Sequence, residues 1–66
     1  MGFETVILSV TKDVVRHSRA EFTNGTLFVG NIDETEANRL VNNFRNYAQC
    51  EVVVSEVGGE FAFDFV

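Results

Sequence analysis

The pairs Asn24-Gly25 and Gly58-Gly59 constrain this chain more than any other feature, because each stands between two runs of β-branched and aromatic residues. A two-residue type I′ turn needs positive φ at both central positions, which Asn-Gly and Gly-Gly supply. The pattern predicts two hairpins, residues 19–23 with 26–31 and residues 51–57 with 60–66. Across the second ladder Val52, Val54 and Glu56 are expected to face Phe65, Phe63 and Phe61. Residues 3–10 read as a further strand, with Val6, Leu8 and Val10 on one face and Phe3 and Ile7 on the other. Within residues 11–18, Val14 to Ser18 are expected either to extend the strand that follows or to form a single helical turn.

One helix is expected over residues 33–48. Asp33 is its N-cap and Glu36, three residues on, completes a capping box, with Ile32 and Ala37 at the staple positions. Ala37, Leu40, Val41, Phe44, Tyr47 and Ala48 recur at helical spacing, and Asn38, Asn42, Arg45 and Asn46 form the wet side. The expected fold is therefore a single α+β domain spanning residues 1–66 in the order βββαββ. A right-handed split βαβ crossover gives a mostly antiparallel five-stranded sheet, ordered 1-2-3-5-4, with one helix on one face.

A chain of 66 residues has room for one core only, and that core supplies about 3–5 kcal/mol. With 45 % apolar residues and no proline, folding is expected despite a net charge of −5. One cysteine and one histidine exclude an internal disulfide and a structural zinc site, and no cofactor or metal is expected. Stability is then expected to draw on self-association. The runs Val6-Ile7-Leu8, Leu27-Phe28-Val29 and Val52-Val53-Val54 put large side chains on both faces of a sheet that has one helix to cover it. The second face is either small and patchy or a binding surface. The strand at 51–57 is an edge with no lysine or proline to discourage pairing. Val53, Val57, Phe28, Val6 and Leu8 are the candidate protein interface, and a homodimer is the expected assembly. The same apolar runs are far shorter than the ~20 residues that span a bilayer. Glu4 stands where a secretory signal carries a cation, so an intracellular, cytoplasmic chain is expected, and Asn24-Gly25-Thr26 reads as a turn and not as a glycosylation acceptor.

Leu27-Phe28-Val29-Gly30-Asn31-Ile32, followed by the helix and by Gly59-Glu60-Phe61-Ala62-Phe63-Asp64-Phe65, resembles the two signature strands of RNA recognition motif domains. The resemblance covers residues 27–66 and implies base stacking on Phe28, Phe61 and Phe63 from an open sheet face. The chain departs from that pattern at Gly59, Glu60 and Asp64, and the family register would bury the Asp64 carboxylate. The opposite register, with Phe61, Phe63 and Phe65 beneath the helix and Glu60, Ala62 and Asp64 outside, buries no charge and is preferred. Glu51, Glu56, Glu60 and Asp64, with no cation in the hairpin, repel phosphate, so a nucleic-acid partner is disfavoured.

Lys12, Arg16, His17 and Arg19 are the one basic cluster and read as a solvated edge or turn, or as a docking spot for an acidic patch. Cys50 reads as a buried thiol; a dyad with His17 has no local signature to support it. Asp33, Glu34 and Glu36 are expected to serve the helix N-terminus and not a cation. In size, acidity and lack of a catalytic constellation the chain resembles the small regulators and inhibitors that bacteriophages encode, such as anti-CRISPR proteins. The expected function is a non-enzymatic interaction module that binds itself and an unidentified protein partner, away from any membrane. Single-stranded RNA binding is the alternative.

Overall fold

The computed structural model describes residues 2–66, apart from the side chain of Ala48. Helix α1 spans Phe3–Val14, strands β1 and β2 span Arg19–Thr23 and Thr26–Gly30, and α2 spans Glu34–Asn43. One π-helical turn over Phe44–Ala48 follows α2, and β3 and β4 span Val52–Val57 and Glu60–Phe65. The sheet runs β1-β2-β4-β3 with every neighbouring pair antiparallel. Strands β2 and β3 are thus parallel to each other, with β4 between them and α2 making the crossover.

The fold is α+β, but two helices lie against a four-stranded sheet, which corrects the expected five strands and one helix. The element that differs is α1, where a strand over residues 3–10 was expected. Phe3, Ile7, Val10 and Val14 stand at i, i+4, i+7 and i+11, a helical stripe hidden among β-branched residues that favour strands locally. What selects the helix is coverage. Strands lie about 4.8 Å apart and a helix is roughly 10 Å across, so one helix covers about two strands and a four-stranded face needs two. Both helices join one cluster on one face: Ile7 of α1, Ala37 and Leu40 of α2, Phe44 of the π turn, and Leu27, Val29 and Phe63 of the sheet are all buried.

Both turns take the expected form. Asn24 and Gly25 have φ of 51° and 82°, and Gly58 and Gly59 have 57° and 84°, so all four central residues are left-handed. The β3–β4 register pairs Val52 with Phe65, Val54 with Phe63 and Glu56 with Phe61, as read from the sequence. The preferred orientation of β4 also holds: Phe63 is fully buried under the helices and Asp64 is exposed on the other face. The capping box is complete, with the Glu36 amide donating to Asp33 Oδ1 (2.8 Å) and the Asp33 amide donating to Glu36 Oε1 (3.0 Å).

The far end of the expected helix differs. The π turn widens the spiral and shifts the phase of the stripe, so Tyr47 is 74 % exposed where helical spacing placed it inward. Phe44 stays in the core, edge-on to Phe63 and Phe65 at centroid distances of 5.7 and 5.4 Å. Gln49, with φ of 54°, ends the turn.

Candidate functional site

Because both helices lie on one side, the other face of the sheet is uncovered by any described element. It shows Phe28 and Ala62 as cross-strand partners at its centre, with Ala62 only 4 % exposed beside the half-buried Phe28 ring. Polar groups close around them. Thr26 Oγ1 donates to Asp64 Oδ1 at 2.6 Å on the same face. The Glu60 side chain lies down over Gly30, where a Cβ would stand 2.9 Å from its Oε2. His17, Arg19, Asn31 and Glu60 edge a shallow open depression of about 340 Å³ around Gly30. This is the small, patchy outcome for the second face. Its exposed apolar surface is concentrated on β3, where Val53 and Val57 are 55 % and 53 % exposed.

Strand β3 is also an edge of the sheet. The Val66 amide donates to the Glu51 carbonyl (3.1 Å), which makes residues 51 and 66 a hydrogen-bonded pair of this antiparallel ladder. Such pairs alternate, so Val53, Ser55 and Val57 bond to β4, whereas the N–H and C=O groups of Val52, Val54 and Glu56 point away from it. Beside this row, Glu34, Ala37 and Asn38 of α2 and Val54, Glu56 and Phe61 of the sheet line a groove of about 260 Å³. No cationic residue lines it. Arg45 of the π turn approaches Glu51 at 4.0 Å, at the other end of the strand.

The sequence-selected interface residues fall into two groups. Phe28, Val53 and Val57 share the outer face. Val6 and Leu8 are carried away on α1, which packs on the opposite side; Val6 is 38 % exposed and Leu8 packs against the core. The premise that one helix covers a sheet with three two-faced apolar runs is corrected with them, since Val6-Ile7-Leu8 belongs to a second covering helix and not to a strand. The aromatic trio is divided as well. Phe28 faces outward, while Phe61 and Phe63 lie beneath the helices, so no single face presents all three for stacking.

The basic cluster is partly engaged within the chain: Lys12 Nζ donates to the Ser18 carbonyl, and His17 Nε2 is 3.3 Å from Glu36 Oε2. Cys50 precedes β3 at the Phe65 end of the sheet, whereas His17 flanks the Gly30 end, so the length of β4 separates them. Among the described residues no group of three or more His, Cys, Asp or Glu side chains is placed to hold a metal ion. No helix among them is long and apolar enough to cross a membrane. Sequence reading singled out the β3 edge but missed the groove beside it. Glu34 and Val54 are twenty positions apart in sequence, and only the packing of α2 brings them together.

Comparison with known protein families, characterised proteins and solved structures finds no match.

Proposed function

We propose that this chain is a non-enzymatic interaction module that binds a protein partner by adding an extended segment of that partner to the β3 edge. One observation carries the reading: beyond Val52, which is buried at the start of the strand, the exposed Val54 and Glu56 turn backbone donors and acceptors away from β4, flanked by exposed Val53 and Val57, with no lysine or proline to block pairing. Strand addition uses those groups for affinity and the flanking side chains for selectivity. A regulatory or inhibitory role fits a small acidic domain whose exposed chemistry is a sheet edge with a shallow groove beside it. An intracellular site of action fits a chain with a single cysteine.

Val54→Pro tests the reading. Proline at this position removes an N–H that points away from β4, so the hairpin keeps its ladder, but an added strand loses a partner. A protein captured by the wild type is expected to shift the amide resonances of Val52, Val54 and Glu56 and to lose affinity for a folded Val54→Pro variant. A partner that binds both equally, or that shifts α1 instead, overturns it.

The exposed valines favour a second reading, a homodimer through the same edge. A two-fold axis at Ser55 would set Val53 of one copy opposite Val57 of the other. Sedimentation equilibrium of wild type and Val53→Lys decides it: a wild-type dimer that the lysine dissociates supports it, and a wild type monomeric at millimolar concentration rules it out.

A further inference from the structure

The strand-addition reading says where a partner binds but not what kind of segment it offers, and the groove beside β3 supplies that. A residue paired with Val54 in an added strand projects its side chain to the same face as Val54, over the groove. The floor there is Val54, Ala37 and Phe61, and the flanking carboxylates are Glu34 and Glu56. An apolar floor with acidic margins and no cation in its lining suits a side chain with an aliphatic stem and a positive head. We infer that the partner's segment is a basic strand, with a lysine or arginine opposite Val54 whose stem lies on Val54 and Phe61 and whose cation reaches Glu34 and Glu56.

Charge across the whole hairpin points the same way. Of the hairpin carboxylates, Glu56 is on the groove side, Glu51 lies at the other end of β3 within 4.0 Å of Arg45, and Glu60 and Asp64 are on the outer face, where Glu60 shares a depression with Arg19, so the hairpin adds a net negative charge around the groove. A second copy of the chain is a poorer occupant. Its own β3 offers the groove valine, serine and glutamate and no cation, and it brings a further net charge of −5. Acidic polymers, nucleic acid among them, meet the same repulsion.

This inference rests on strand addition at β3, and the experiment separates the two. Random peptides of about ten residues, the length of a long strand, are displayed and selected for binding to the full chain. The selected peptides are synthesised, mapped by amide shifts on the wild type, and titrated against Glu34→Gln/Glu56→Gln. The expected result is enrichment of Lys or Arg among the binders, perturbation of Val52, Val54 and Glu56, and affinity about three- to tenfold weaker in the double variant. That difference should shrink as salt is raised. Binders that map to β3 without basic enrichment, or that bind the double variant equally well, overturn the basic strand and leave strand addition standing. Binders that map elsewhere, or a selection that yields none, overturn both.

Discussion

Phe63 and Asp64 are neighbours with opposite fates, because the pleat sends adjacent side chains to opposite faces. Phe63 is fully buried against the edge of the Phe44 ring, whereas Asp64 is exposed and accepts one bond from Thr26. Phe63→Ala should therefore cost roughly 3–5 kcal/mol, the range for emptying an aromatic site in a core. Asp64→Ala should cost no more than about 1 kcal/mol, since an exposed hydrogen bond is largely replaced by water. Urea denaturation of the two variants checks the pair, and equal losses would contradict the register. Asp33 belongs to the same scale. Its carboxylate satisfies the Glu36 amide at the start of α2, so Asp33→Ala should remove about 1 kcal/mol, read by the same denaturation.

Helix α1 is the element whose identity most changes the molecule. Ile7 is fully buried and packs under the sheet, while its neighbour Val6 is 38 % exposed. Ile7→Ala is expected to cost about 2–5 kcal/mol through lost burial and the cavity left behind. Val6→Ala should be close to neutral, since the small loss of burial is offset by the better helix propensity of alanine, worth up to ~0.7 kcal/mol. The helical circular dichroism signal and the denaturation midpoint test both. A Val6→Ala loss as large as that of Ile7→Ala would return residues 3–10 to a strand with both faces packed. Thr11 adds a second mark of the helix: it is buried, and its hydroxyl donates to the Ile7 carbonyl one turn back at 2.8 Å, so it enters the core without an unpaired polar group.

The molecule as a whole is a two-layer structure whose sheet is covered on one side by two helices, and that division decides which surface is left uncovered. Half of the cover belongs to α1: Phe3 packs edge-on against Phe65 at 5.3 Å, and Phe65 in turn lies 6.1 Å from Phe22 on β1. A chain lacking residues 2–15 should lose cooperative unfolding and bind hydrophobic dyes, because the β1 half of the sheet would stand bare. Retention of a sharp thermal transition in that truncation would show that α2 alone sustains the core. The two edges of the sheet also differ. Strand β1 carries Arg19 and Glu21 and lies against α1, whereas β3 carries exposed valines beside an acid-lined groove. That asymmetry is why the proposed partner is assigned to one edge and one sign of charge.

Local chemistry determined the two hairpins, their register and the start of α2. Left-handed φ at Asn24-Gly25 and Gly58-Gly59 and the Asp33–Glu36 box depend on residues within a few positions of one another, so the sequence alone made them legible. The placement of Phe63 inside and Asp64 outside was equally legible, because burying an unpaired carboxylate is costly in any fold. The segment around Val6-Ile7-Leu8 was different. Its β-branched residues favour a strand, its spacing permits a helix, and the width of the sheet settled the choice, a quantity no local window contains. The exposure of Tyr47 required the π turn. The groove required Glu34 and Val54 to meet across two elements, so its place beside β3 was decided by tertiary packing, which alone sets distances between residues far apart in the chain.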